Sequence, residues 1–406
     1  MNDPVYQNIT PETVKEITDP EIGLKGYLVI DTSINGQSVG GLRMDESVTE
    51  EEIKNLARSM TLKHGFIGMA RGGAKSGIAA DGSLDHRQKE ILIRRFGELI
   101  ADNLKDRRYI PGTDVGTNKE LIDELYRSAG VRTTKRSTGS PHSGYFTSLS
   151  VLTAIEVCVK LKNLDFRKCA FAVQGFGSVG GSLALEIHNR GGKVVAVSDK
   201  SGAIYKKDGL DIPEVVRRKP ISDYRDAEQI SRDELLELPV DVLCPCALGS
   251  AVNKNNMDRI KAGIVCAGAN EAVTIAADRY LYDKGVLFLP EFATNCGGVL
   301  GNAMEFMGIG EGMILEFFRE TLAPKYVRIY ETSRETGKTP REIAIEIAEK
   351  NIERMKMASR RKTIKSRAVN LALKSYHRGL IPGFLVRDYA YGYFKKLVTG
   401  DSVLYT

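Results

Sequence analysis

Residues 169–180 have the sequence CAFAVQGFGSVG, an apolar run followed directly by a glycine-rich turn. The run predicts a buried strand, and Leu183 and Ile187 beyond the turn have helical spacing. A second apolar run, KVVAVSD, ends at Asp199. Strand, turn, helix and strand in this order predict a βαβ unit, because two parallel strands need a crossover connection.

The glycines of this turn have G-x-G-x-x-G spacing. After a strand and before a helix, Gly175 permits a tight turn, Gly177 lets a pyrophosphate approach the backbone, and Gly180 allows close helix–strand packing. Ser178 and Val179 begin the helix, whose N-terminus favours phosphate charge. We therefore predict an NAD(P) site here. The alternative is a glycine-rich turn that binds no cofactor.

The end of the second strand bears on the choice of cofactor. Asp199 can accept hydrogen bonds from ribose hydroxyls, and its carboxylate repels a 2′-phosphate, which favours NAD over NADP. Lys200 beside it, together with Ser198, could reverse that preference.

Three further apolar runs, VDVLCPC, AGIVCAG and GVLFLP, alternate with helical patterns. The alternation predicts an α/β fold with a doubly wound parallel sheet. Ligands bind at the carboxyl ends of strands in such sheets, and Ala247, Asn270 and Asn295 follow strand ends. We predict that these residues contact the cofactor. The alternative for the two asparagines is a turn-forming role.

Composition narrows the class of protein. A chain of 406 residues exceeds one core and predicts two domains, and 42% hydrophobic with 27% charged residues is typical of globular proteins. The net charge of +6 is spread along the chain except at Arg360-Arg361-Lys362. That cluster lacks interleaved aromatics, so we expect a solvated helix face or a subunit contact and no nucleic acid.

Cysteine and histidine usage predicts location and metal content. The six cysteines form no CxxC, which is typical of reduced thiols in a cytoplasmic protein. None of the five histidines pairs with another at metal-ligand spacing, so we expect no metal. The first ten residues are polar and no run of 18 apolar residues occurs, so we expect neither a signal peptide nor a membrane span.

Three residues upstream have the chemistry of a catalytic site. Lys75 lies in GGAKSG, where glycines would let the backbone approach a ligand. Lys63 lies on the inward face of a helix that begins at Thr49, with a predicted capping box between Thr49 and Glu52. Asp114 follows in TDVGT. A desolvated lysine beside a second cation loses its proton more readily and can act as a base. The alternatives are a solvated Lys75 in a flexible loop and a Lys63 whose amine reaches solvent.

Together these segments resemble the Glu/Leu/Phe/Val amino-acid dehydrogenase superfamily. The resemblance covers about two thirds of the chain and follows the family's order. It rests on the segments GGLRM, MTLKH, GGAKSG, TDVGT, GFGSVG, VSDKSG, CALGSAV, AGAN and NCGGV.

The resemblance implies NAD(P)-dependent oxidative deamination of an L-amino acid to a 2-oxo acid and ammonia, and the reverse reaction. It implies a substrate and assembly domain at 1–145, a Rossmann-type NAD(P)-binding domain at 146–305, and helices at 306–406 that return to the first domain. A cleft between the domains and a homo-oligomer, a hexamer or an octamer, are also implied.

Residue roles follow by motif position. Lys63 matches the lysine that holds the substrate α-carboxylate, and Lys75 the lysine that activates water. Asp114 matches the carboxylate that moves protons to and from the amino group. Gly41 of GGLRM is expected to line the substrate site, and Ser143 to touch the nicotinamide carboxamide. The chemistry agrees, because adding water to an iminium needs a base and expelling ammonia needs an acid.

Three positions bear on the substrate. Val39 stands where glutamate dehydrogenases have a lysine for the side-chain carboxylate, and burying that carboxylate unpaired would cost several kcal/mol. We therefore expect a largely apolar, non-glutamate substrate, with one polar contact from Asn302. The alternatives are a glutamate dehydrogenase with an unusual anchor such as Arg71, and a non-catalytic nucleotide-binding scaffold of the same fold.

Overall fold

A computed structural model describes residues 10–132, 142–218, 220–247, 249–359 and 383–400. Of these, residues 10–132, 347–359, 383–386 and 400 form a first compact unit, and those from 142 to 346 with 387–399 form a second. Among the described residues of the predicted segment 306–406, residues 306–346 and 387–399 lie in the second unit, and residues 347–359, 383–386 and 400 lie in the first. The predicted domain boundaries themselves stay a prediction. The basic cluster at 360–362 lies outside the described residues.

The first unit contains a mixed five-stranded sheet in the order β1-β2-β4-β3-β5. Strand β3 pairs in parallel with both β4 and β5, whereas β2 pairs antiparallel with β1 and β4. The elements are β1 (Thr13–Asp19), β2 (Leu24–Ile30), β3 (Ser38–Asp45), α1 (Glu50–Ile67), β4 (Gly72–Ala79), α2 (His86–Leu99), α3 (Ala101–Lys105), β5 (Tyr109–Thr113) and α4 (Lys119–Ser128).

Apolar side chains cover both faces of this sheet. One core packs Leu28 and Leu42 of the sheet against Phe96 of α2 and Leu125 of α4. A smaller core packs β2 against α1 on the other face. The central strands are therefore held on both sides, and their side chains are fixed in position.

Helix α1 begins at a cap that was only half predicted. The Thr49 hydroxyl accepts a hydrogen bond from Glu52 N–H at 3.2 Å, as expected for an N-cap. The Glu52 carboxylate does not return to the cap and instead contacts Arg43 of β3. The predicted capping box is therefore wrong, because a charged partner from the sheet competes for the carboxylate.

The second unit contains a seven-stranded sheet in the order β12-β11-β10-β6-β7-β8-β9. The five strands from β12 to β7 are parallel, which confirms the doubly wound fold class. Strands β8 and β9 add an antiparallel edge that the sequence did not predict. The strands are β6 (Ala170–Gln174), β7 (Lys193–Asp199), β8 (Gly202–Tyr205), β9 (Glu228–Ile230), β10 (Val242–Pro245), β11 (Ile264–Cys266) and β12 (Leu287–Leu289).

Helices connect and follow these strands. They are α5 (Ser143–Leu161), α6 (Ser178–Asn189), α7 (Ile212–Arg217), α8 (Arg232–Leu236), α9 (Ile275–Asp283), α10 (Glu291–Thr294), α11 (Gly297–Phe306), α12 (Glu311–Thr336), α13 (Pro340–Ser359) and α14 (Gly383–Thr399). By length and composition α5 could cross a membrane, but 67% of its most apolar window is buried inside the protein. Core helices of folded domains pass the same test.

Candidate active site

Strand β3 has one face that packs into the core and one face that is half-buried. Ser38, Gly40, Leu42 and Met44 are buried, and the alternate residues are half-buried. Because side chains alternate along a strand, Val39, Gly41 and Arg43 share the second face. The segment VGGLR thus presents an apolar residue, a bare backbone and a cation on one side of the sheet.

The neighbouring strand β4 carries Lys75, which is only 3% exposed. The segment GGAKSG is a buried central strand, so the alternative of a solvated lysine in a flexible loop is wrong. Its glycines serve packing instead of ligand approach. A Cβ on Gly73 would lie 2.1 Å from the Thr61 nitrogen of α1, so glycine lets the helix lie directly against the strand.

Asp114, in the loop after β5, forms an ion pair with Lys75 through its Oδ2. Gly41 makes room for it, because a Cβ there would lie 2.9 Å from the Asp114 Cβ. The Thr117 hydroxyl holds the loop in place, since it accepts from Asp114 N–H at 2.9 Å and donates to the Leu42 carbonyl at 2.8 Å. The predicted residues Lys75, Asp114 and Gly41 therefore do lie together.

Arg43 is a further charged residue of this site, with no predicted role. Its Nε lies 3.7 Å from Asp114 Oδ2, and its guanidinium contacts Glu52 at the start of α1. Burial opposes ionisation of Asp114, but the charges of Lys75 and Arg43 outweigh it and hold its pKa below the usual value. The sequence signal that could have predicted this role is the arginine of GGLRM, which is followed nine positions later by a glutamate at the start of α1.

Lys63 lies near the end of α1 and is 6% exposed, so the alternative of an amine in open solvent is wrong. The next residue, His64, is fully buried. Burial, with the nearby charges of Arg71 and Lys63, lowers the pKa of His64 to about 3. The two cations therefore lie near a neutral imidazole. Arg71 itself is exposed, directly before β4.

In the second unit, the candidate site is shaped mainly by the backbone of the glycine-rich turn. Gly175 has φ +93°, and a Cβ there would lie 2.7 Å from the Ala247 nitrogen. These residues follow β6 and β10, the neighbouring strands between which the strand order reverses. Ligands bind at such switch points in doubly wound sheets. A Cβ on Gly180 would lie 1.9 Å from the Gly175 carbonyl oxygen, whereas one on Gly177 meets nothing within 4 Å.

The N-terminus of α6 fits a bound pyrophosphate. Gly177 is the N-cap, and no side chain of the described residues caps the helix, so the amides of the first turn have no side-chain acceptor among them. Val179 lies against Gly268, where a Cβ would be 2.9 Å from its Cγ1. The loop, the helix start and the ends of β10 and β11 thus meet around the open space beside Gly177.

Asp199, at the end of β7, has part of its hydrogen-bonding capacity in use. Its Oδ1 accepts from Ser201 N–H at 2.7 Å and from the Ser201 hydroxyl at 2.5 Å, and its Oδ2 accepts from Ile221 N–H at 3.3 Å. Burial raises the pKa of Asp199, but these hydrogen bonds outweigh it, so the pKa lies below the usual value. The side chain is thus a fixed carboxylate, and the neighbouring Lys200 is exposed.

Asn295 and Asn270 are in direct contact, with Asn295 buried behind Asn270, and the sequence did not predict this arrangement. The buried Asn295 amide donates to the Asn270 Oδ1 at 3.1 Å and to the carbonyls of Gly268 and Ala269 at 3.3 Å. Asn295 therefore fixes the loop that carries Asn270, and its own Oδ1 accepts no hydrogen bond from the described residues.

The glycine pair of NCGGV begins α11 and packs on α5. A Cβ on Gly297 would lie 2.2 Å from the Phe146 carbonyl oxygen, and one on Gly298 would lie 3.1 Å from Ser143 Oγ. Asn302 follows on α11, half-buried, and its Oδ1 accepts no hydrogen bond from the described residues. Ser143 and the start of α11 are thus neighbours.

No group of three histidine, cysteine, aspartate or glutamate side chains within the described ranges has the arrangement of a metal site. The six cysteines are free thiols, and Cys158 and Cys266 approach to 3.9 Å between sulfurs without a disulfide.

Two family models match the chain. "Glutamate/Leucine/Phenylalanine/Valine dehydrogenase" matches residues 139–361, and "Glu/Leu/Phe/Val dehydrogenase, dimerisation domain" matches residues 11–129. Together they span both compact units.

Named relatives agree with these models. The chain is 36% identical to a glutamate dehydrogenase of Thermotoga maritima over 70% of this chain and 72% of that protein. It is 32% identical to an NAD-specific glutamate dehydrogenase of Staphylococcus aureus over 76% of this chain and 80% of that protein. Among solved structures, hetero-hexameric glutamate dehydrogenase from Thermus thermophilus in its Leu-bound form is similar, with TM-score 0.75 and 26% identity over 86% and 89% of the two chains.

Proposed function

This chain belongs to the Glutamate/Leucine/Phenylalanine/Valine dehydrogenase family of NAD(P)-dependent amino-acid dehydrogenases, and from this premise we propose that it deaminates an L-amino acid with a neutral, largely apolar side chain. Val39 carries the proposal. It is half-buried on the face of β3 that also bears Gly41 and Arg43, and its register partner on β4 is Gly73, two residues before Lys75. A substrate carboxylate held there without a cation would lose its hydration uncompensated.

In the proposed reaction Lys63 binds the α-carboxylate, as its buried position on α1 permits. The substrate ammonium group first loses one proton to solvent, and NAD(P)+ held by the GFGSVG turn would then accept the hydride that leaves the α-carbon. Water then adds to the resulting iminium, its oxygen bonding to the α-carbon while one proton passes to the Lys75 amine. Because Asp114 is paired with Lys75, it can relay that proton to the substrate nitrogen. The C–N bond then breaks and ammonia leaves, while the hydroxyl proton passes to the Lys75 amine as the carbonyl forms.

For the cofactor we propose NAD, with contacts from the GFGSVG turn, Asp199, Asn270 and Ser143. The fixed carboxylate of Asp199 supports this choice because it would repel a 2′-phosphate. The Staphylococcus aureus relative is named as NAD-specific, which agrees. Lys200 is exposed beside Asp199 and is the residue that would weaken the preference.

A glutamate dehydrogenase is the second candidate. The two relatives at 32% and 36% identity are named glutamate dehydrogenases, and this observation favours it. Arg71 would then have to bind the side-chain carboxylate. A non-catalytic scaffold is disfavoured because the buried Lys75–Asp114 pair is intact.

The test is an initial-rate panel. The purified protein is given NAD+ or NADP+ with L-leucine, L-valine, L-methionine, L-phenylalanine, L-glutamine or L-glutamate, and reduced cofactor is followed. We expect a neutral amino acid with NAD+ to give the highest kcat/KM, and Val39→Lys to gain activity on glutamate. Glutamate as the best substrate, with that activity lost in Arg71→Ala, would establish the second candidate instead.

We further propose a cytoplasmic homo-oligomer, a hexamer or an octamer. The free thiols support the location, and the match of residues 11–129 to a dimerisation domain supports assembly. Light scattering of the purified protein would give the subunit number.

A further inference from the structure

The Lys75–Asp114 pair poses a chemical problem for the proposed reaction. A carboxylate beside an ammonium group favours the charged form of both. Asp114 acting on Lys75 alone would therefore hold the proton on the amine and leave no base to accept one from water. A second cation that draws on the same carboxylate would relieve this.

Arg43 occupies the position of that cation. Its Nε lies 3.7 Å from the same Asp114 Oδ2 that Lys75 contacts, and its side chain is only 13% exposed. A guanidinium stays protonated at all accessible pH values, so it competes for the carboxylate as a fixed charge.

The surrounding groups define how strongly Arg43 can act. Glu52 of α1 contacts its guanidinium, and Asp45, two residues along β3, is also influenced by its charge. Tyr109 of β5 is buried near Asp114, and burial raises its pKa far above the usual value, so it stays neutral. The positive charges that stabilise the Asp114 carboxylate are those of Lys75 and Arg43. Glu52 also pairs with Arg43 and so competes with Asp114 for its charge.

We propose that Arg43 is a positioning residue for the reaction, which shares the Asp114 carboxylate with Lys75 so that Asp114 does not hold the proton on the Lys75 amine when a base is needed. This inference rests on the proposed function of the Lys75–Asp114 pair. A merely structural Arg43 would tie α1 to the sheet through Glu52 and would leave the titration of Lys75 unchanged.

The test compares Arg43→Gln, which removes the charge, with Arg43→Lys, which keeps it. Trace acetic anhydride labels each lysine amine in proportion to its unprotonated fraction, and mass spectrometry of the Lys75 peptide gives its labelling midpoint against pH. We expect the Lys75 labelling midpoint to rise in Arg43→Gln and to stay at the wild-type value in Arg43→Lys. Arg95→Gln is the matched control, because Arg95 pairs with Asp19 and Glu98 away from this site.

Turnover gives a second readout. The acid limb of kcat/KM against pH should move in Arg43→Gln by the same amount and direction as the labelling midpoint. An unchanged Lys75 midpoint in a folded Arg43→Gln protein would overturn the inference, and so would a shift of equal size in Arg43→Lys. Wild type without amino-acid turnover would refute the proposed function separately, because labelling needs no turnover.

Discussion

The first candidate site depends on charged side chains, whereas the second depends on backbone geometry. In the first unit, Lys75, Asp114, Arg43 and Glu52 form a chain of opposite charges on buried or half-buried positions. In the second, Gly175, Gly177 and Gly180 shape the backbone, and within the described part of the chain no side chain caps the helix that would face the ligand. The difference suggests that removing a charge in the first site affects chemistry, whereas adding a methyl group in the second affects binding or folding.

The largest expected effect is in the first site. Lys75→Ala removes the proposed base, and general acid–base groups typically contribute about 10²–10⁴ in rate. We expect kcat to fall by a factor in that range in steady-state assays on the best substrate. Lys25→Ala is the control, because Lys25 is exposed on β2 with only a 4.0 Å contact to Glu16. A Lys75→Ala enzyme within about threefold of wild type would remove Lys75 from the chemistry.

In the second site, the stability effect of a glycine-to-alanine substitution should depend on which glycine is replaced. Gly180→Ala brings a Cβ to 1.9 Å from a carbonyl oxygen, and overpacking of this kind costs about 1–3 kcal/mol. Gly177→Ala places its Cβ in open space and should unfold at the wild-type temperature. Thermal unfolding of both variants checks this contrast. Equal destabilisation would mean that the close approach of Gly180 to the Gly175 carbonyl does not hold the turn.

The two units also contain buried groups with opposite pH responses. The pKa of His64 is lowered to about 3, so the unfolded chain binds the proton more tightly, and stability falls as pH drops from 6.5 towards 3. Between pH 7 and 5 this amounts to about 2 kcal/mol. Burial raises the pKa of Asp278 to about 6, against the charge of Arg341, so its contribution is present below pH 3.8 and is lost as pH rises through 6.

Denaturant unfolding at pH 7 and pH 5 separates these responses. His64→Leu should lose less stability than wild type on going to pH 5, and Asp278→Asn should lose more. If both variants follow the wild-type pH dependence, neither buried group titrates as described.

The smallest expected effect concerns the choice of cofactor. Asp199→Ala removes the carboxylate that would repel a 2′-phosphate, and we expect the ratio of kcat/KM for NADP+ over NAD+ to rise by about tenfold, or about 1.4 kcal/mol. Lys200→Ala is the companion variant and should lower the same ratio. An unchanged ratio in Asp199→Ala would place cofactor choice elsewhere.

The second site was easier to predict than the first. The glycine turn works through local backbone geometry, so its spacing within residues 175–180 carries most of the information. The order of Asn295 behind Asn270 and the antiparallel β8–β9 edge depend on pairing across the fold and gave no local signal.

In the first site the roles of Lys63, Lys75 and Asp114 came from the family resemblance, and they stay predictions. The ion pair joins residues 39 positions apart through strand pairing that no local pattern specifies. The alternative of a flexible loop at GGAKSG failed because its glycines are required by packing of α1 on a central strand. The capping box failed because Arg43 took the Glu52 carboxylate.

The division between the two sites is tested most directly by NADH binding, measured by fluorescence titration of Lys75→Ala and Gly177→Ala side by side. We predict that Lys75→Ala binds NADH within about twofold of wild type, and that Gly177→Ala, although folded, binds about tenfold or more weakly, a loss of about 1.4 kcal/mol. Lys75→Ala losing NADH affinity as severely as Gly177→Ala would contradict the separation of chemistry from cofactor binding.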